Sequence, residues 1–182
     1  MKFIETELED AWLVELEPRG DERGSFARSF SRDEFTERGL LADYVQANAS
    51  VSAHRGTVRG LHFQRAPHTE AKLVRCVRGA ILDVIVDLRS GSPTYLRHQG
   101  FELSASNRRQ LYVPPGFAHG FQSLNDDIEI TYMVSAQYTP TAEGGVRYDD
   151  PMIGIAWPLP VSVISDKDAR WPLLKREGRP IF

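Results

Sequence analysis

The sequence predicts an all-β protein, a sandwich or barrel of the jelly-roll type, on three observations. Strand-sized apolar runs separated by Gly, Pro, Asn and Asp follow one another from residue 44 onward. Apolar residues alternate with other residues along the first strand-like segment, at 12–16. Only one segment carries the start and stop signals of a helix. At 182 residues the chain is expected to fold as a single domain spanning 1–182.

The first third of the chain predicts strands followed by one short helix. The alternating segment 12–16 ends at a turn containing Pro18 and Gly20, and a strand resumes over 25–30. The best helix candidate is 31–41, with Ser31 as N-cap, a glutamate at the capping-box spacing and a glycine near its end.

The middle of the chain predicts a hairpin and further strands. Residues 72–88 contain two apolar runs on either side of Arg78-Gly79, which is typical of a β-hairpin. Strands are also expected at 111–113, before a Pro-Pro-Gly turn, and at 129–136. The proline-rich tail is expected to lie on the surface, with a short helical turn within 165–172.

Composition and charge exclude several classes of function. The net charge of −3 and the pI near 6.0 give no reason to expect nucleic acid or a membrane surface as a partner. Cys76 is the one cysteine of the sequence, which excludes an intrachain disulfide. Its apolar neighbours favour a place in the core over a nucleophilic role. With no apolar run near Met1, we expect a cytoplasmic protein.

The segment 56–78 carries more chemistry than a core strand requires. His62 and Arg59 lie in a predicted strand that contains Gly60, and strict alternation would place the two side chains on opposite faces. Both can line one pocket only if a bulge near Gly60 resets the alternation. A locally bonded structural histidine remains an alternative for His62, and a solvated charge at a strand end remains one for Lys72.

Three later residues are also open to two interpretations. His119 follows a Pro-Gly turn between two phenylalanines, and either buried packing or function would suit it. Tyr132 shares a strand face with apolar neighbours, where a buried phenol needs a hydrogen-bond partner. Asp168, in the run Ser-Asp-Lys-Asp, would ordinarily be a surface charge.

A metal site is an alternative interpretation of the scattered histidines and glutamate. His62, His68, Glu70 and His119 superficially resemble the ligands of a cupin metal site, which requires three or four converging nitrogen or oxygen atoms. The usual first cupin motif has two histidines separated by one residue, and Gln64 occupies the second position here. We therefore expect no metal.

Eight motifs taken together resemble the dTDP-4-dehydrorhamnose 3,5-epimerase family. They cover nearly the whole chain in order: DERGSF (21–26), QANAS (46–50), VRGLHFQ (58–64), EAKLVRCVRGAILDVIVDLR (70–89), SPTY (92–95), LYVPPGFAHGF (111–121), DPMIGIAWP (150–158) and SDKD (165–168). The resemblance implies a cupin-type double-stranded β-helix that uses neither metal nor cofactor. It also implies a homodimer with exchanged N-terminal strands.

The same resemblance implies a reaction and its catalytic residues. The family inverts C3 and C5 of a nucleotide-linked 4-keto-6-deoxyhexose through an enolate. His62 matches the family's base, and Asp168 matches the carboxylate that orients its imidazole. Lys72 matches the cation near the enolate oxygen, and Tyr132 matches the acid on the opposite face of the sugar.

The resemblance also carries over a set of substrate-binding positions. These are Arg23, Phe26, Arg28, Gln46, Asn48, Arg59, His119, Tyr138, Glu143 and Lys167. Three positions depart from the family: Arg28 replaces a glutamate, Glu70 a glutamine, and Arg-Tyr-Asp-Asp at 147–150 a Trp-Asn-Asp run. Arg28 leaves the base open between thymidine and cytidine. Inversion at one carbon, a 3,4-ketoisomerase, a metal-dependent cupin and a non-catalytic binding module are the other hypotheses.

Overall fold

The computed structural model describes residues 1–175 and 181–182, and the described part is almost entirely β-structure. Its strands are β1 Lys2–Glu5, β2 Trp12–Glu15, β3 Arg19–Asp21, β4 Gly24–Phe26, β5 Gln46–Ser52, β6 Val58–Gln64, β7 Lys72–Arg78, β8 Ala80–Asp87, β9 His98–Ser104, β10 Gln110–Val113, β11 Phe117–Ser123, β12 Ile128–Val134 and β13 Glu143–Gly145. The helices are α1 Arg32–Thr36, the 3₁₀ turn Pro140–Ala142 and α2 Asp166–Ala169. The prediction of an all-β protein is confirmed.

Two antiparallel sheets form the body of the fold. One has the strand order β1-β2-β10-β7-β12-β5, and the other has the order β13-β6-β11-β8-β9. A small separate hairpin joins β3 to β4. Side chains from the two large sheets share one apolar core, in which Val74 and Ile130 of the first sheet cluster with Ile85 and Phe121 of the second. Burial of these side chains supplies the main favourable free energy of folding.

The predicted hairpin over 72–88 is wrong. Both strands exist, but β7 pairs with β10 and β12 in one sheet, whereas β8 pairs with β11 and β9 in the other. Gly79, with φ of +72°, turns the chain from the first sheet to the second. A hairpin and a crossing between packed sheets need the same local signals, two apolar runs around a glycine turn, so the sequence pattern does not separate them.

The predicted N-terminal elements are only partly correct. α1 covers Arg32–Thr36 and not 31–41, and Ser31 occupies the N-cap position without a side-chain hydrogen bond. The Glu34 carboxylate accepts from the Met1 amino group at 3.1 Å and does not close a capping box. Phe35, which is fully buried in a cluster with residues of the six-stranded sheet, anchors this short helix. The strand predicted at 25–30 is confined to β4.

A bulge is present near Gly60, as expected if Arg59 and His62 are to line one pocket. The register of β6 against β11 shifts between the pairs His62–His119 and Arg59–Phe121. Gly60 has φ of +121°, and a Cβ built on it would lie 2.6 Å from the Cα of Gly120. Only glycine permits this approach of the two backbones. As a result, Arg59 and His62 border the same cavity.

The C-terminal segment crosses back over the five-stranded sheet. α2 confirms the short helical turn predicted within 165–172, and it contacts β6. Residues 176–180 of the predicted surface tail lie outside the described part of the chain. Among the described helices, none is long and apolar enough to cross a membrane.

Candidate active site

A cavity of about 270 Å³ opens between the two sheets, where β6, β7 and β12 approach one another. Most of its lining is polar or ionisable, which is unusual for the interior of a β-sandwich. The lining residues are Gln46, Asn48, His62, Phe63, Gln64, Glu70, Lys72, Tyr132, Val134, Tyr138 and Glu143. A second cavity of about 380 Å³ shares His62 with the first and is bordered by Arg59, Lys167 and Asp168. His62 therefore lies where the two cavities meet.

His62 forms a hydrogen-bonded pair with Asp168. Its Nε2 lies 2.6 Å from Oδ1 of Asp168, and the imidazole is 34% exposed whereas the carboxylate is 5% exposed. The backbone of α2 presents this carboxylate because the Ser165 hydroxyl accepts from the Asp168 N–H at 3.1 Å. The second oxygen, Oδ2, accepts from the backbone N–H of Gly60. Asp168 thus fixes one imidazole nitrogen while the ring still reaches the cavity.

The carboxylate of Asp168 is held in its charged form. Burial alone would raise its pKa, but the hydrogen bond and charge of His62, together with the Gly60 N–H, outweigh burial and leave the pKa below its usual value. A charged carboxylate at this distance stabilises an imidazolium at His62. The pair is thus suited to accept a proton from a substrate carbon.

Lys72 enters the cavity from the first residue of β7. Its Nζ lies 2.9 Å from Oε1 of Glu70, and both side chains are only 10% exposed. The intervening Ala71 is pinned by Ser135, whose hydroxyl accepts from the Ala71 N–H at 2.8 Å. Because residues two apart on an extended chain point to the same side, Glu70 and Lys72 enter the cavity together.

Tyr132 reaches the cavity from β12. Burial raises the pKa of its phenol, the negative charge of Glu70 raises it further, and Arg59 opposes the rise. The phenol therefore keeps its proton through neutral pH. Tyr132 packs against the core cluster, which explains why it shares a strand face with apolar residues in the sequence.

Three residues form a polar network at the mouth of the cavity. The Glu143 carboxylate accepts from the Tyr138 hydroxyl at 3.0 Å and from the Lys167 Nζ at 2.6 Å. These two bonds outweigh the effect of burial, so the pKa of Glu143 lies below its usual value. Nearby, the Gln46 amide donates to the Asn48 carbonyl at 2.7 Å. Tyr138 leaves more than half of its surface exposed, at 55%, so its ring is open to a ligand.

Arg59 and His119, two more of the predicted substrate residues, are both held by hydrogen bonds to residues of other strands. Arg59 donates to the Ser52 hydroxyl at 3.0 Å and to the Val51 carbonyl at 2.8 Å on neighbouring β5. His119 lies opposite His62 in the sheet, but its imidazole is buried, and its Nε2 donates to the Asp83 carboxylate at 2.6 Å.

The N-terminal candidates lie away from His62 within one chain. Arg23, Phe26 and Arg28 belong to the β3–β4 hairpin and the residues after it, and they border two other surface cavities. Phe26 is 77% exposed. Arg23 is paired with Asp21 at 2.5 Å, and Arg28 with Glu34 at 3.5 Å. Within one chain, the structure therefore does not bring these three residues to the cavity around His62.

Sequence reasoning missed three side chains of this region. Glu70 appeared only as a departure from the family and as a superficial metal ligand, yet it is the ion-pair partner of Lys72. Asp83 supports His119, and the signal for it was a carboxylate in an otherwise apolar strand. The rings of Trp171 and His62 form a T-shaped pair with centroids 6.4 Å apart, and nothing in the sequence pattern indicated this contact.

Three of the four side chains weighed as metal ligands lie in separate pairs. His62 pairs with Asp168, His119 with Asp83, and Glu70 with Lys72. Within residues 1–175 and 181–182, no group of three or more His, Cys, Asp or Glu converges in a way that could hold a metal ion.

Comparison with known proteins identifies the family. The family model described as dTDP-4-dehydrorhamnose 3,5-epimerase matches residues 5–176. The chain belongs to the dTDP-4-dehydrorhamnose 3,5-epimerase family. A family member from Methanothermobacter thermautotrophicus is 46% identical over 184 residues, which cover 100% of this chain and 97% of the relative. Membership confirms the predicted resemblance, and the chain is an isomerase.

Two solved structures of family members match the whole fold. The dTDP-4-dehydrorhamnose 3,5-epimerase of Bacillus anthracis, with TDP and pyrophosphate bound, has a TM-score of 0.91 at 45% identity, covering 95% of this chain and 99% of that one. The epimerase of Legionella pneumophila, in complex with dTDP-4-keto-L-rhamnose, has a TM-score of 0.88 at 40% identity, covering 94% and 92%. These matches confirm the cupin-type fold expected from the resemblance.

Proposed function

We propose that this family member inverts C3 and C5 of dTDP-4-dehydro-6-deoxyglucose to give dTDP-4-dehydrorhamnose. One observation carries the proposal: a His62–Asp168 pair, an ammonium at Lys72 and a phenol at Tyr132 converge on one cavity between the sheets. A reaction through an enolate needs a base, a positive charge and an acid, and these three groups supply them. The dTDP ligands of the two solved relatives favour thymidine over cytidine as the base.

Proton abstraction begins at the carbons next to the C4 ketone. Their protons are acidic because the electron pair left behind delocalises onto the ketone oxygen as an enolate. The free nitrogen of His62 accepts the proton, and the resulting imidazolium is stabilised by the Asp168 carboxylate 2.6 Å from its other nitrogen. Asp168 stays ionised throughout, in agreement with its lowered pKa.

Lys72 and Tyr132 complete the inversion. The Lys72 ammonium, nearly shielded from water, faces the position where negative charge develops on the ketone oxygen. Tyr132 approaches from β12, across the cavity from β6 and its His62. Its phenol donates a proton to the opposite face of the enolate carbon, so the configuration is inverted and not restored. Burial and the charge of Glu70 raise the pKa of this phenol above its ordinary value of about 10, and an enolate carbon is basic enough to take its proton.

The polar mouth of the cavity suits the nucleotide end of the substrate. The exposed ring of Tyr138 offers a stacking surface, and Lys167 and Arg59 supply positive charge near the same opening. Gln46 and Asn48 add amide groups from β5.

A substrate panel tests the assignment of both the nucleotide and the reaction. Purified protein is incubated with dTDP-, CDP-, UDP- and GDP-linked 4-keto-6-deoxyglucose, and the products are followed by proton NMR. We expect double inversion, with kcat/KM highest for the dTDP sugar. Preference for CDP would contradict the thymidine assignment, and a product inverted at one carbon would reassign the chain as a single-site epimerase.

The protein also works as a homodimer in this proposal, with each β3–β4 hairpin completing the site of its partner. β5 is an edge strand of the six-stranded sheet, and its exposed residues Ala47, Ala49 and Val51 form an apolar stripe. An exposed apolar edge strand is a template for pairing with another chain. The same strand carries Gln46 and Asn48 into the cavity, so a hairpin docked there would bring its arginines to the substrate.

Mixing two inactive variants tests this exchange of hairpins. In a heterodimer of Arg23→Ala and His62→Asn chains, one site combines both defects, whereas the other is intact if the arginine comes from the partner. We therefore expect mixed and reassociated variants to regain activity that neither has alone. No gain on mixing, or a monomer in analytical ultracentrifugation, would contradict the proposal.

A further inference from the structure

Glu70 is the buried acidic group that the proposed mechanism leaves without a role. Its carboxylate lies within the lining of the cavity and is 10% exposed. Oε1 accepts from the Lys72 Nζ at 2.9 Å, and Oε2 accepts from the Gln64 amide at 3.2 Å. Burying a carboxylate is unfavourable unless both oxygens find partners, and both do so here.

The surroundings of Glu70 are fixed from several elements. The Gln64 side chain cannot rotate freely, because its carbonyl accepts from the Thr139 N–H at 2.6 Å while its amide donates to the His68 carbonyl. The backbone beside Glu70 is held by two hydrogen bonds between Ala71 and Ser135. The carboxylate therefore has a defined position, and Lys72 is held by it in turn.

The charge of Glu70 also acts on Tyr132. Burial is the largest cause of the raised pKa of that phenol. The negative charge of Glu70 raises the pKa further, and the positive charge of Arg59 lowers it. A phenol can donate a proton only while it still carries one, so the negative charge of Glu70 extends to higher pH the range in which Tyr132 can act as an acid. The titratable groups that line the first cavity with Tyr132 are His62, Glu70, Lys72, Tyr138 and Glu143, and the adjoining cavity adds Arg59, Lys167 and Asp168.

We propose that Glu70 is a positioning residue of this epimerase: it aims the Lys72 ammonium at the substrate ketone and extends the proton-carrying form of Tyr132 to higher pH. The inference rests on the proposed epimerase function. The family resemblance leads one to expect a glutamine at position 70, so the role falls to a position at which this chain departs from the family. Glu70 does not touch the reacting carbons and acts through its two neighbours.

Two substitutions separate charge from position. Glu70→Gln removes the charge but keeps an oxygen that can accept from Lys72, and Gln64 retains the His68 carbonyl as an acceptor. Without the negative charge Tyr132 loses its proton more easily, so the alkaline limb of double inversion should move to lower pH. Glu70→Asp keeps the charge but shortens the side chain. It should leave the alkaline limb in place and lower kcat about 10-fold or more, as expected for loss of a hydrogen bond to a charged group.

The measurement is the pH profile of double inversion for the wild type and both variants. Glu129→Gln is the matched control. Glu129 lies on the same strand as Tyr132, but its carboxylate pairs with Arg78 on the protein surface. Direct titration of the Tyr132 phenol by NMR of ¹³C-labelled tyrosine, assigned with Tyr132→Phe, provides a second readout that does not depend on turnover.

The outcomes distinguish this inference from the function on which it rests. A wild type without proton exchange or inversion would refute the epimerase function, whatever the variants do. An active wild type whose alkaline limb and Tyr132 titration coincide with those of Glu70→Gln would refute the role of Glu70 alone. A shift in Glu70→Gln that is absent in Glu70→Asp and Glu129→Gln would support it.

Discussion

Replacing Asp168 by asparagine tests the base most sharply, because the change is nearly isosteric. In the wild type, Oδ1 lies 2.6 Å from His62 Nε2, and Oδ2 accepts from the Gly60 N–H. The asparagine side chain has one carbonyl oxygen, which can accept from one of these two donors. Its N–H₂ group would face the other donor. The imidazole would then lose either its charged partner or its preferred tautomer.

The magnitude follows from the kind of bond that is lost. A hydrogen bond to a charged group contributes about 1.5–3 kcal/mol, and each factor of ten in rate corresponds to about 1.4 kcal/mol. We therefore expect Asp168→Asn to lower kcat/KM about 10- to 150-fold. KM should change little because the carboxylate lies behind His62 and is almost fully buried.

The assay is turnover of the dTDP-linked keto sugar under first-order conditions, with exchange at C3 followed separately by NMR. Asp166→Asn is the matched control, because Asp166 lies on the same short helix but is exposed and paired only with Arg170 among the described residues. An Asp168→Asn rate within about twofold of the wild type would refute the argument that this carboxylate supports the base. An equal loss in Asp166→Asn would indicate damage to α2.

Three further predictions concern Lys72, Tyr132 and pH. Lys72→Met should lower kcat about 100- to 1,000-fold, the loss expected for an oxyanion-stabilising donor, whereas an unchanged kcat would contradict its role. Tyr132→Phe should keep proton exchange or inversion at one carbon but lose most double inversion, and wild-type yields of the doubly inverted sugar would remove Tyr132 from the mechanism. Because the folded-state pKa of Asp168 is lowered, its contribution to stability is present above its unfolded pKa of about 3.9 and is lost as pH falls through the lower folded value. The difference in unfolding free energy between wild type and Asp168→Asn, from urea titrations, should shrink as pH falls below about 4; a difference that does not shrink there would contradict the assignment.

The sequence predicted the strands of this fold better than their pairing. Alternation and turn residues located β7 and β8 correctly, but the pairing of each strand depends on contacts far along the chain, with β10 and β12 or with β9 and β11. Local signals at Gly79 could not specify these long-range partners. In contrast, the bulge at Gly60 was predictable, because alternation alone would have separated Arg59 from His62.

The site was predictable through the family resemblance and not from residue identity alone. Taken singly, His62, Lys72 and Tyr132 each have a structural interpretation, whereas the resemblance gives each a role, and the structure brings all three to one cavity. The ion pair between Glu70 and Lys72 was not foreseen, since a glutamate two residues before a lysine is an ordinary surface pattern until the chain buries both. The same applies to Asp83, whose bond to His119 depends on the register of β8 against β11.

The most direct test of the central claim is deuterium incorporation from D₂O into a dTDP-linked 4-keto-6-deoxyglucose. Proton abstraction by His62 on both sides of the ketone predicts deuterium at C3 and at C5 with the wild type, and at neither carbon with His62→Asn. Absence of exchange at both carbons with the wild type, or undiminished exchange with His62→Asn, would contradict the account.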